Sequence, residues 1–340
     1  MNRNHSLISV HSVRTMYIDP INFKGNLDTG SAILHTVIKG PSFSDTLNLI
    51  VVHGGPDWDH SYLQTVLSSM ANRVRIICFD LRGCGYSQSF GDSSNYTIDH
   101  AARDLQGLLK VLENQLPQRN FLERTWILGF SFGGRVAMRW RTLYQEQKVA
   151  GIILASTSAG PVNPEHFDGW REFLERSEQY GGLFHQHILK PASVKPEDTH
   201  ILALESLPLD VYDLSAIDYI KDIVSGVKFT SEWARSLRDG YLTEGASRNM
   251  QEDLRKFYEA ESAESAEFAE SAGCSEGDGN KELLIIHGCC DMRFPIDSAR
   301  ELSGAIPGSR LIEIPMAGHF VHLEKSDAWC NAISSHIFSV

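Results

Sequence analysis

Short apolar runs, each closed by glycine or a polar turn, recur along the chain at residues 32–38, 47–52, 74–79, 125–128, 149–155, 282–286 and 310–314. Runs of this length with little polar alternation predict strands buried on both faces. Stretches with apolar positions at helical spacing follow several of them, at 60–70, 98–116 and 133–147. A strand followed by a helix, repeated, predicts a mostly parallel sheet covered on both faces, an α/β class.

The alternation stops after Ala155 and resumes only at Glu282, leaving about 120 residues whose pattern is mainly helical. Such an interruption predicts an inserted cap. The expected organisation is a core of residues 1–158 that includes an N-terminal extension, a helical cap over 159–281, and the second part of the core over 282–340. Aromatic residues recur through the cap, from Phe167 and Trp170 to Trp233 and Tyr241, and predict its own core, with some of them lining a pocket beneath it. Within the cap, residues 261–272 repeat Glu-Ser-Ala or a near variant, and glycine and acid follow to 280 without an apolar face. That composition predicts an acidic linker over 259–280, although alanine and glutamate also favour helix.

Composition changes this picture little. Of 340 residues, 42% are hydrophobic and 22% charged, values of an ordinary folded globular chain. The formal charge of −12 argues against a broad phosphate-binding surface, so nucleic acid is not an expected partner. The first 20 residues lack a continuous apolar stretch, and no later run approaches a membrane span, so neither a secretory signal nor a membrane association is expected. Six cysteines, Cys78, Cys84, Cys274, Cys289, Cys290 and Cys330, lack metal-type spacing, and the cytoplasm is the expected compartment.

Candidate chemistry begins at Gly129-Phe130-Ser131-Phe132-Gly133, which follows one predicted strand and opens a predicted helix. In that context the motif is a sharp strand-to-helix turn that lifts the serine hydroxyl above the sheet, at a helix N-terminus that favours developing negative charge. Ser131 is therefore the expected nucleophile. A serine needs a base within hydrogen-bond reach. His319, in Met316-Ala317-Gly318-His319-Phe320 after the last predicted strand, fills that role better than His322, three residues on in the next helical turn. Asp291, in His287-Gly288-Cys289-Cys290-Asp291 just past another predicted strand, is the acid expected to orient the imidazole. Asp297 is the rival, and helix N-capping is the role expected of it.

An oxyanion must also be held. The strand at 47–52 runs into His53-Gly54-Gly55-Pro56, whose proline has no N–H, so Gly55 is the expected donor, with Phe132 N–H as its partner. His53 reads as a structural loop residue. Asp80-Leu81-Arg82-Gly83-Cys84-Gly85-Tyr86-Ser87 matches neither phosphate-loop nor dinucleotide spacing and reads as a structural turn, with Cys84 as a bland thiol.

Taken together, these motifs resemble the α/β-hydrolase superfamily from about residue 32 to the C-terminus. The resemblance implies an α/β-hydrolase fold with a mostly parallel central sheet and an inserted, mainly helical cap. It implies a serine hydrolase that acts on a small-molecule or short-peptide ester, thioester or amide through an acyl-enzyme and requires no metal or organic cofactor. A carbon–carbon hydrolase or cyclase would use the same triad, and a ligand-binding receptor could reuse the scaffold. The His-Gly-Gly-Pro run also resembles the proline iminopeptidase branch, whose members hold a substrate amine with cap acids; Glu205, Glu232 and Glu244 are the candidates. The chain departs from that branch at Asp57, where glycine is usual, and at Phe132, where tryptophan is common.

Overall fold

The structure is a computed structural model, and it describes residues 22–116, 118–189, 195–242, 250–272 and 282–339. Eight strands form one sheet: β1 (Asn22–Asp28), β2 (Ile33–Lys39), β3 (Leu47–Val52), β4 (Val74–Phe79), β5 (Thr125–Phe130), β6 (Gly151–Ala155), β7 (Leu283–Gly288) and β8 (Arg310–Ile314). Their spatial order is β1-β2-β4-β3-β5-β6-β7-β8. β1 and β2 run antiparallel to their neighbours, and every pair from β4 to β8 is parallel. The loops that follow β3, β4, β5, β7 and β8 consequently gather along one edge of the sheet, the edge at which such folds place ligands.

Strands β4 to β7 are buried at every position, as apolar runs without alternation require. On one face of the sheet lie α2 and α3; on the other lie α1 and the C-terminal helix. The core helices are α1 (Ser61–Leu67), α2 (Ile98–Gln115) and α3 (Phe132–Leu143), with the cap helices α4 (Arg171–Leu189), α5 (Pro196–Glu205), α6 (Leu207–Asp210), α7 (Ile217–Ser225) and α8 (Glu232–Arg238) inserted between β6 and β7. Then come α9 (Gln251–Ala272), α10 (Ile296–Ala305), α11 (Val321–Glu324) and α12 (Ser326–Ile337). Helix α2 starts where Thr97 accepts a bond from the His100 N–H, and it buries Ala101, Leu105, Leu108 and Leu112 along one stripe.

Two expectations need correction. Strand β1 lies in what reads as an N-terminal extension; its inward positions are Phe23, Gly25 and Leu27, and the alternation is broken because the Phe23 ring lies over Gly25, where a Cβ would come within 2.9 Å. The second concerns the acidic linker, which is helical as far as Ala272. Leu254, Phe257 and Tyr258 anchor the first turns of α9 in the α2–α3 core, the Arg141 guanidinium lies 4.3 Å over the Phe257 ring, and the alanine and glutamate that follow continue the helix. Residues 273–280 of that expected linker fall outside the described residues.

Candidate active site

The turn from β5 into α3 is tight. A Cβ on Gly129 would lie 2.6 Å from the Gly133 carbonyl oxygen, and one on Gly133 would collide with the Val52 carbonyl. Only glycine allows that approach, and it forces Ser131 to φ 52° and ψ −119°, a conformation that side-chain-bearing residues rarely adopt. The strained residue is held by its neighbours: its N–H donates to the Ala155 carbonyl at 2.9 Å, and Thr157 Oγ1 donates to its carbonyl at 2.7 Å.

Three loops then converge. His319 Nε2 lies 3.0 Å from Ser131 Oγ, and His319 Nδ1 lies 2.9 Å from Asp291 Oδ2. All three side chains are buried. Asp291 Oδ1 accepts the N–H groups of Arg293 at 2.8 Å and Phe294 at 2.9 Å, which fixes the carboxylate plane. Burial by itself would raise the Asp291 pKa, but the imidazoles of His319 and His287 beside it outweigh that effect and hold the carboxyl well below its ordinary range. An ionised Asp291 places the imidazole proton on Nδ1 and leaves the Nε2 lone pair facing the serine hydroxyl. Sequence reasoning passed over His287, whose Nε2 stands 3.3 Å from Asp291 Oδ2 and 2.6 Å from the Phe294 carbonyl. Its position at the end of β7, four residues before Asp291, was the available signal.

The rival residues lie elsewhere. His322, in α11, is buried among aromatic rings, with Phe130 at 4.5 Å and Tyr62 at 5.5 Å. Neither of its ring nitrogens has a hydrogen-bond partner among the described residues, and burial pushes its pKa well below the ordinary value. Asp297 is half-exposed and pairs with Arg300 at 3.2 Å. It is not the helix N-cap: Pro295 holds that position without a side-chain bond, and Asp297 is the second residue of α10, where a carboxylate suits the helix dipole.

Around the serine, the loop after β3 passes so close that a Cβ on Gly54 would come within 2.9 Å of Ser131 Cβ. The Gly54 N–H already donates to the Tyr62 hydroxyl at 2.9 Å. His53 is also committed, its Nδ1 donating to the Gly54 carbonyl at 2.7 Å and its Nε2 accepting from the Leu81 N–H at 2.9 Å. Gly55 and Phe132 carry N–H groups with no acceptor among the described residues. Cys84 is fully buried, and burial together with the Asp57 carboxylate pushes its thiol up, away from reactivity.

Of the cap acids, Glu205 is exposed, Glu232 pairs with Arg235 at the start of α8, and Glu244 falls outside the described residues. The cap aromatics divide similarly: Phe229 and Trp233 are buried against Trp58 and Phe132 of the core, while Tyr219 and Tyr241 are exposed. Among the described residues, no group of three or more His, Cys, Asp and Glu side chains is placed to hold a metal ion.

Comparison with known proteins gives consistent likenesses. A family model described as alpha/beta hydrolase fold matches residues 48–326. The proline iminopeptidase of Saccharolobus solfataricus is 28% identical over 170 residues, which cover 47% of this chain and 52% of that protein. The chain therefore spans about half the length of such curated relatives. Among solved structures, a thermophilic esterase from Thermogutta terrifontis superposes with a TM-score of 0.61 at 22% identity, covering 91% of this chain and 94% of that one. The meta-cleavage product hydrolase CumD of Pseudomonas fluorescens IP01 gives a TM-score of 0.63 at 17% identity, with coverage of 94% and 98%. At such identities the two structures speak for the fold alone.

Proposed function

The chain belongs to the alpha/beta hydrolase fold family, and on that footing we propose that it is a serine hydrolase that cleaves a small acyl substrate, an ester, thioester or amide, through an acyl-enzyme. The observation that carries this reading is the unbroken chain of hydrogen bonds from Asp291 Oδ2 through His319 to Ser131 Oγ, at 2.9 and 3.0 Å. In the first half-reaction Ser131 Oγ attacks the acyl carbon while His319 Nε2 takes its proton. The charge that develops on the carbonyl oxygen falls to the N–H groups of Gly55 and Phe132, and Asp291 stabilises the imidazolium. His319 then returns the proton to the leaving group as the tetrahedral intermediate collapses. In the second half a water loses its proton to the same nitrogen and adds to the acyl carbon; as this second tetrahedral intermediate collapses, the bond from the acyl carbon to Ser131 Oγ breaks and His319 returns the proton to that oxygen.

A proline iminopeptidase-type activity on short peptides is the second reading, favoured by the likeness to curated proline iminopeptidases. We place the enzyme in the cytoplasm, because the spacing of its cysteines is not that of a disulfide framework; among the described residues no helix is long and apolar enough to cross a membrane.

Steady-state rates on a panel of short p-nitrophenyl esters, acyl thioesters and aminoacyl p-nitroanilides, prolyl included, test both readings. Ser131→Ala is expected to remain folded and to lose on the order of a millionfold in kcat on the best substrate. Wild-type turnover in that variant would overturn the assignment, and a preference for the prolyl anilide over every ester would move the reading to the peptidase.

A further inference from the structure

Asp57 combines a left-handed backbone with a buried carboxylate. It follows Pro56 in the loop that carries Gly55, it has φ 72°, and it is 2% exposed. A glycine would adopt that backbone without strain, so the aspartate must compensate through its side chain. Its carboxylate faces the cap. Oδ1 accepts the Trp233 N–H at 3.0 Å and the Thr230 hydroxyl at 3.1 Å, and Oδ2 accepts the Ala234 N–H at 2.8 Å. The two N–H groups are orphan donors of the first turn of α8, whose own N-cap residue, Ser231, makes no side-chain cap bond. The Asp57 backbone carbonyl takes the Thr230 N–H at 2.8 Å, and the Asp59 carboxylate takes the Lys228 N–H at 3.0 Å, so the whole loop is stitched to residues 228–234.

The same turn of α8 reaches the other proposed oxyanion donor. Trp233 packs edge-on against the Phe132 ring, with centroids 5.1 Å apart, and its indole N–H donates to the Arg82 carbonyl at 2.8 Å. One helix of the cap therefore touches both halves of the oxyanion site, the loop of Gly55 through Asp57 and the start of α3 through Trp233.

We propose that Asp57 is a positioning residue: by capping α8 it fixes the cap against the core and sets the spacing between the Gly55 and Phe132 N–H groups. This rests on the serine hydrolase reading. Its consequence is that the cap contributes to transition-state stabilisation without touching the substrate. Donors preorganised to within fractions of an ångström stabilise an oxyanion far better than loose ones.

The test compares wild type, Asp57→Gly, Asp57→Asn and Ser236→Ala by kcat and KM on a short p-nitrophenyl ester, by the rate of labelling with a fluorophosphonate, and by thermal melting. Asp57→Gly keeps the backbone conformation and removes the cap bonds; kcat and labelling rate are expected to fall about 10- to 100-fold with KM changed by less than about threefold. Asp57→Asn, which retains one acceptor but turns an N–H toward Ala234 N–H, is expected to lie between it and wild type. Ser236→Ala removes a different α8–core bond, from Ser236 Oγ to the Tyr96 carbonyl at 2.8 Å. It controls for loss of stability and is expected to keep kcat within about twofold. Wild-type protein that takes no label overturns the reading of the site, and the inference with it. Wild-type protein that labels, beside an Asp57→Gly variant that turns over and labels as fast as Ser236→Ala, overturns the inference alone.

Discussion

Single residues carry most of what this protein is proposed to do, and they differ in how far sequence context reveals them. Ser131, Asp291 and His319 were legible because each follows an apolar strand in a short loop, and parallel strands bring such loops to one edge. Of the two carboxylates weighed, Asp291 contacts His319 and Asp297 pairs with Arg300 instead, and kinetics test what that contact does. Asp291→Asn is expected to lower kcat by about ten-thousandfold with KM little changed, because the wrong imidazole tautomer would face the serine. Asp297→Asn, on a half-exposed helix turn, is expected to leave kcat within about twofold; the reverse pattern would transfer the role. Asp57 shows what sequence cannot convey, since its partners lie about 175 positions along the chain, in the cap. Burial pushes its carboxyl up to about 6, against the Trp233 and Ala234 N–H groups that favour its ionised form, with Glu232 and Cys84 the ionisable groups facing it. The native state thus holds this proton more tightly than the unfolded chain. Its contribution to stability is present at low pH and is lost as pH rises from about 4 through about 6. The melting temperature of wild type relative to Asp57→Asn should accordingly fall across that window; a difference that is flat or that grows with pH would contradict the direction of the shift.

Elements obey a simpler logic, and their failures of legibility are instructive. Doubly buried strands announce themselves as apolar runs, whereas edge strand β1 has only Phe23 and Leu27 to offer, with a glycine between them, too little for a period of two to emerge. Helix α9 misleads in the opposite direction. Its first turns carry an apolar stripe, and its later turns carry the Glu-Ser-Ala repeat, so composition reads as a linker where propensity sustains a helix. The two halves should respond differently to change. Phe257→Ala removes a ring buried under Arg141 in the α2–α3 core and is expected to cost about 3–5 kcal/mol of stability. Shortening residues 261–272 is expected to leave kcat and Tm nearly unchanged; thermal melting of the two variants and steady-state rates of the shortened one check this, and a large loss of Tm in the shortened protein would mean that the acidic turns pack as well.

At the scale of the molecule, the helices inserted between β6 and β7 are bonded to the loops of the candidate site. Besides α8, the segment around α6 clasps the loops that bear Asp291 and His319. Arg293, two residues past Asp291, forms a bidentate pair with Asp210 at 2.7 and 2.6 Å, and Glu324 accepts the N–H groups of Gly318, Tyr212 and Asp213. Arg293→Ala would leave Asp210 buried and short of its counter-charge, and denaturant unfolding is expected to report a loss of about 3 kcal/mol. That helices interrupt the strand–helix alternation between β6 and β7 was legible in the sequence; how they dock was not, because these bonds join residues whose partners no local pattern names. All of it converges on whether Ser131 is an activated nucleophile. The most direct measurement is mass spectrometry of the intact protein after treatment with a fluorophosphonate, with the adduct mapped by peptide sequencing. The expected result is one adduct per chain, on Ser131, absent from Ser131→Ala and slowed in Asp291→Asn; an unlabelled wild type, or an adduct that persists on another residue in Ser131→Ala, would contradict it.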